Sequence, residues 1–149
     1  MMEREAEPNR WQAWRHRLVE VVPAEPAFGT EPRVLRDDGR LRRMLFPGFR
    51  LELFRDEGEG YHLNLTSGAP VWFVVWRIDD ADPSRAWPET VSLSYNEAGR
   101  WLDAQEQVDN VPLAPDLVAW LQSYTDAHYR PEPKRRRRPQ SFLPPDERS

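Results

Sequence analysis

The chain has 149 residues, no cysteine and a net charge of −4. That length suits one domain rather than two. The lack of cysteine excludes disulfides, thiolate-bound zinc, iron–sulfur clusters and thiol catalysis, and fits a reducing compartment. Lys134-Arg135-Arg136-Arg137-Arg138 supplies five of the 21 positive charges, leaving 16 against 25 acidic residues elsewhere. An acidic body with a basic run is not the profile of a dedicated nucleic-acid-binding domain, which spreads positive charge over a folded face.

Core material is aromatic, with seven Trp, six Phe and four Tyr. Each buries roughly 150–250 Å². Residues 1–9 begin Met1-Met2-Glu3-Arg4-Glu5 and read as a flexible, charged leader without the apolar stretch of a signal peptide. Residues 10–129 read as a single domain. Trp14, Leu18 and Val22 share one face of a strand ended by Pro23. Arg40 to Phe46 is a shorter strand candidate. Pro47-Gly48 marks a turn, after which Phe49, Leu51 and Leu53 put an apolar face on a further strand. Asp56-Glu57-Gly58-Glu59-Gly60 reads as a loop. Tyr61, Leu63 and Leu65 alternate with His62, Asn64 and Thr66, which predicts a half-buried strand, and Ser67-Gly68-Ala69-Pro70 predicts a turn.

Val71-Trp72-Phe73-Val74-Val75-Trp76 is apolar on both faces, as in a central strand covered on both sides. It is far shorter than the ~20 residues of a membrane-spanning helix, so no membrane span is expected. Pro83 to Pro88 reads as a loop, and Val91, Leu93 and Tyr95 as the inner face of a strand. Ser94 with Glu97 forms a capping box that predicts a helix to about Gln105, weakened by Gly99. Pro115 suits a first helical position, and Leu117, Trp120, Leu121, Tyr124 and His128 follow on one face at the 3.6-residue period. Trp120 is thereby predicted to face the core. Pro131 stops the helix. Residues 130–149 are Pro-rich and charged and are predicted to be disordered. The expected fold class is α+β: a mainly antiparallel β-sheet followed by a C-terminal helix packed on it.

Candidate chemistry is sparse. His16, His62 and His128 lack the second ligand at the spacing of a helical metal site. Ser67, Ser92, Ser94 and Ser123 lie in no nucleophile elbow. No glycine-rich phosphate loop is present, and Asp79, Asp80 and Asp82 read as a solvated turn rather than a calcium loop. No cofactor, metal or catalytic residue is expected, and the chain is read as non-enzymatic. Trp72 and Trp76 share a strand face, as core residues or as a stacking platform for a ligand. Trp87, in its Pro-flanked stretch, and the Lys134–Arg138 run are the candidate partner contacts. Without a fold-level motif the run is not expected to recognise nucleic acid specifically.

Tyr61-His62-Leu63-Asn64-Leu65-Thr66-Ser67, Pro70 and the Val71–Arg77 strand resemble an uncharacterised bacterial family, domain of unknown function 3305. Arg10-Trp11-Gln12 with Trp14, then Ser94, Glu97 and Ala98, then Val111-Pro112-Leu113, Trp120, His128-Tyr129 and the basic run extend the likeness. The family carries Met where Leu113 stands and an aromatic where Pro133 stands. The resemblance implies a context: such proteins are encoded beside molybdenum-dependent formate dehydrogenases and molybdenum-cofactor genes. Some carry a label for molybdopterin-guanine dinucleotide synthesis, but guanylyl transfer needs a nucleotide-binding loop in a larger α/β domain, and this chain has neither. The implied role is a cytoplasmic accessory protein for maturation or assembly of the dehydrogenase, with that enzyme or its maturation factors as partner. The alternative is a small-ligand or cofactor-binding module using the aromatic sheet face.

Overall fold

The computed structural model describes residues 1–6 and 13–131. The opening Arg10-Trp11-Gln12 and the Lys134–Arg138 run, with the tail around it, lie outside the described residues. Among the described residues, seven strands and three α-helices follow in the order β1 (Met2–Ala6), β2 (Trp14–Leu18), β3 (Arg33–Asp37), β4 (Leu41–Leu45), α1 (Gly58–Leu65), β5 (Val71–Ile78), β6 (Ala86–Ser92), α2 (Tyr95–Asp103), β7 (Gln107–Pro112) and α3 (Pro115–His128). The strands form two sheets, ordered β2-β1-β4-β3 and β6-β5-β7. Every strand pairing is antiparallel. The α+β class is therefore as expected, with two sheets in place of one and with α1 and α2 interleaved among the strands.

β5 is the central strand of its sheet, and its uninterrupted apolar run reflects that position. Trp72 to Trp76 are all buried. Trp72, Val74 and Trp76 join Tyr61, Leu93, Val111, Leu113 and Leu121 in the main core, and the Phe73 ring lies 6.2 Å from Tyr95 of α2. Met2 and Leu18 of the first sheet enter the same core. The two sheets are also tied by hydrogen bonds, including Leu18 N to Asp109 Oδ2 at 3.0 Å.

Several expectations need correction. Met2–Ala6, read as part of a flexible leader, is an inner strand paired on both sides, by β2 and by β4. Its charged residues hid it, because one of its faces is held by ion pairs rather than apolar contacts. Tyr61–Leu65 is helical, not a strand. Tyr61 and Leu65 are four apart, so the same residues that alternate also share a helix face, and Gly58 and Gly60, read as loop, belong to this helix. A Cβ at Gly60 would collide with Ser94 Oγ, so α1 approaches the start of α2 only because that position is glycine. Residues Phe49–Leu53 join no sheet, although Leu51 and Leu53 pack against the core. The second half of the Pro83–Pro88 stretch is strand, since β6 starts at Ala86, and Tyr95 falls in α2. Ser94 caps α2 as the capping box requires, accepting from Glu97 N at 3.2 Å.

The helix α3 begins at Pro115 and ends at His128 as expected. Its inward line is Leu121 and Thr125, with Leu117, Val118 and Tyr124 half-buried beside them. Trp120, predicted to face the core, is 46% exposed. Adjacent helix positions are about 100° apart, so a core centred on Leu121 turns Trp120 toward solvent. Beside α3 lies α1, where the Tyr61 and Tyr124 rings meet edge to face at 6.0 Å.

Candidate functional site

Alternation along β1 sends Met2, Arg4 and Ala6 to one face of the first sheet, and Glu3 and Glu5 to the other. Cross-strand register then builds rows of side chains on each face. On one face Glu3 stands opposite Arg17 of β2 and Arg43 of β4. It accepts from Arg17 Nη2 at 2.7 Å and from Arg43 Nε at 2.8 Å. The carboxylate is 3% exposed. Burial alone would raise its pKa; hydrogen bonds and charge from Arg43 and Arg17 outweigh burial and hold it below the ordinary value.

The other face is different. Arg4 stands opposite His16 of β2 and Arg42 of β4, and Asp37 of β3 lies beyond Arg42. Three basic side chains thus run in line across β2, β1 and β4. Like charges directly opposite one another are unfavourable in a sheet. The Arg4 guanidinium lies 4.3 Å from the Trp14 ring centroid and donates from Nη1 to Ser84 O at 3.1 Å. His16 Nε2 is 2.8 Å from Pro83 O. Arg4 Nε, Arg42 Nε and Trp76 Nε1 are buried with no hydrogen-bond partner among the described residues, and the Trp76 ring lies 6.0 Å from His16.

This row floors a cleft of about 710 Å³ between the first sheet and the turn leading into β6. Arg4, His16 and Arg42 lie on one side, Ser84, Arg85 and Trp87 on the other, and Met44, Phe46 and Phe49 add apolar wall. Trp87, expected in a loop, lies in β6, is half-buried, and donates from Nε1 to Glu89 Oε2 at 3.0 Å. Asp79 reaches Arg85 at 3.9 Å, and its Oδ1 accepts from the Ala81 backbone N–H. Asp82 is held low by hydrogen bonds from the Ser84 hydroxyl and backbone N–H. Asp79 and Asp82 of the acidic cluster therefore cap their own turn.

The remaining candidates are dispersed. Trp72 and Trp76 are core residues, so the aromatic face of β5 is filled and offers no open platform. His62 lies on α1, its ring 5.5 Å from Tyr129, and His128 packs 4.5 Å from Tyr124. Ser92 Oγ donates to Glu97, Ser94 Oγ to Glu57, Ser67 Oγ to Asn64 O and Ser123 Oγ to Ala119 O. Among the described residues no three His, Asp or Glu are placed to hold a metal ion, and no helix is long and apolar enough to cross a membrane. The cleft residues Arg4, Arg42 and Arg85 escaped sequence reasoning, and His16 was weighed there only as a metal ligand. The alternation of Met2–Ala6 was the available signal, and only strand pairing brings Arg4 beside Arg42.

The Tyr61–Thr66 segment that carries the family likeness is structural. Tyr61 is buried, its hydroxyl accepts from Phe54 N at 2.9 Å, and burial pushes its pKa up to about 12. Asn64 is also buried, and its side-chain amide bonds Val71 O, Val71 N and Leu93 O. No curated protein and no solved structure matches this chain. A family model, described as protein of unknown function (DUF3305), matches residues 1–138, and the chain belongs to that family.

Proposed function

We propose that this chain is a non-enzymatic, cytoplasmic accessory protein that assists maturation or assembly of a molybdenum-dependent formate dehydrogenase by docking to that enzyme or to one of its maturation factors. The family likeness supplies the context. The observation that carries a docking role is Trp120, a large aromatic left 46% exposed on a helix whose other face is in the core. Tryptophan is enriched among the residues that dominate protein interfaces. The filled face of β5 argues against the aromatic sheet as a ligand platform, and the serine hydroxyls serve helix caps and turns. The Lys134–Arg138 run fits a steering role, in which clustered charge speeds encounter with an acidic partner surface.

The test is an affinity pull-down of the full chain from native cells, with metal and pterin analysis of what co-purifies. The dehydrogenase or a maturation factor is expected with the wild type and is expected to be lost with Trp120→Ala. Neutralising Arg135 to Arg138 is expected to slow association, most at low salt. Recovery of no dehydrogenase component, or retention by RNA alone, overturns the reading.

A further inference from the structure

The two faces of β1 solve the same problem differently. Opposite Arg17 and Arg43 the chain supplies its own anion, Glu3, at hydrogen-bond distance. Opposite His16 and Arg42 it supplies another cation, Arg4. Among the described residues the carboxylates nearest this second row make only long ion pairs to its arginines and to Arg85. Asp37 approaches Arg42 Nε only to 3.9 Å, Asp79 lies as far from Arg85, and the Asp79 and Asp82 oxygens accept backbone and hydroxyl groups of their own turn. The buried atoms at the row that lack a hydrogen-bond partner among the described residues, Arg4 Nε and Arg42 Nε, and Trp76 Nε1 near His16, are all donors. A buried donor without an acceptor is costly, and a cluster of them is matched by an acceptor-only group.

We propose that the cleft binds a small organic oxyanion, a carboxylate or phosphate headgroup on an apolar or aromatic body. Arg4 and Arg42 take the headgroup, since guanidinium forks match both oxyanions. Trp87, Phe46 and Met44 take the body. The volume of about 710 Å³ lies within the roughly 300–1,000 Å³ of small-molecule sites, far more than a free inorganic ion fills. Trp14, lying against the Arg4 guanidinium, and Ser84 O, accepting from its Nη1, fix that side chain before any ligand arrives.

The test follows the Nε–H resonances of Arg4 and Arg42 in the full-length protein during titration with phenyl phosphate, benzoate, inorganic phosphate and phenol. Phenyl phosphate or benzoate is expected to shift both resonances saturably, the tighter of the two identifying the headgroup. Inorganic phosphate is expected to bind more weakly, and phenol to leave both resonances in place. Arg42→Gln is expected to weaken binding about tenfold or more, the scale of a lost charge-assisted hydrogen bond. Arg4→Lys keeps the charge and loses the fork, so it is expected to weaken binding while its thermal unfolding stays cooperative. Trp87→Ala is expected to weaken phenyl phosphate and leave inorganic phosphate unchanged. The proposal is overturned if neither organic anion moves these resonances, if binding persists unchanged in both arginine variants, or if inorganic phosphate binds as tightly as phenyl phosphate. The titration needs no dehydrogenase, so its result is separate from that of the docking experiment.

Discussion

Glu3 and Arg4 are consecutive residues of one strand, and each is flanked across the sheet by two basic positions: Arg17 and Arg43 for Glu3, His16 and Arg42 for Arg4. Glu3 neutralises its neighbours and is buried beneath them, whereas Arg4 adds to the charge of its own and lies at the floor of the cleft. The sheet is thus closed by charge pairing on one face and left with donors to spare on the other.

The Glu3 cluster predicts an acid-sensitive first sheet. The Glu3 pKa is lower in the folded chain than its ordinary 4.5. Its contribution to stability is therefore fully present above 4.5 and is lost as the pH falls through the lower folded value. Glu3→Gln should cost about 1–3 kcal/mol at neutral pH, toward the lower end because Arg17 and Arg43 keep access to water. It should also flatten the acid limb of stability against pH. Urea denaturation of both proteins across the acid range checks this, and parallel acid limbs would show that the ion pairs contribute nothing.

Asn64 of α1 is joined through one amide to the start of β5 and to the link between β6 and α2. Its Nδ2 donates to Val71 O and Leu93 O, and its Oδ1 accepts from Val71 N. Asn64→Leu keeps similar bulk but strands all three backbone groups, so the loss should reach about 3 kcal/mol or more. Asn64→Asp should do no better, because a carboxylate would face two carbonyl oxygens. Denaturation midpoints measure both, and a neutral Asn64→Leu would mean that water replaces the amide.

Gly60 tests the packing of α1 on α2. Helix propensity alone favours alanine over glycine by about 1 kcal/mol. Here a Cβ would collide with Ser94 Oγ, the group that caps α2, and sit 3.2 Å from Asn96 N. Gly60→Ala should therefore destabilise despite its better propensity. Gly99→Ala, whose Cβ would meet nothing within 4 Å, should stabilise. Opposite signs for the two substitutions in thermal unfolding are the expected result.

The elements legible in sequence were those whose local pattern admits one answer. Six consecutive apolar residues from Val71 are a buried central strand, the Ser94–Glu97 box starts a helix, and Pro115 starts another. Tyr61–Leu65 was not legible, because five residues cannot separate a period of two from a shared helix face. β3, whose residues are all exposed, carries no apolar alternation and is defined by its partner β4. Met2–Ala6 looked unstructured because its outer face is stabilised by charge. The cleft was invisible for a further reason: it joins Arg4 to Ser84 and His16 to Pro83 across the chain, and no local pattern encodes those meetings.

Trp120 separates a core role from a docking role most directly. The apolar period of α3 alone places it inward, and truncating a buried large aromatic would then cost about 3–5 kcal/mol. Its observed exposure predicts instead that Trp120→Ala changes stability by no more than about 0.5 kcal/mol, the range of surface substitutions. Leu121→Ala, one position on and fully buried, should cost about 2–5 kcal/mol. The two variants together calibrate the rotation of α3 about its axis. If both lower the urea midpoint equally, the helix buries both residues and the exposed aromatic disappears as a docking element. If only Leu121→Ala does, Trp120 is free of the core, and the same folded Trp120→Ala protein then reports on the partner. It should fail to recover the dehydrogenase or its maturation factor from native cells while unfolding at the wild-type midpoint. Full recovery of the partner by that variant would mean that docking, if it occurs, uses another face.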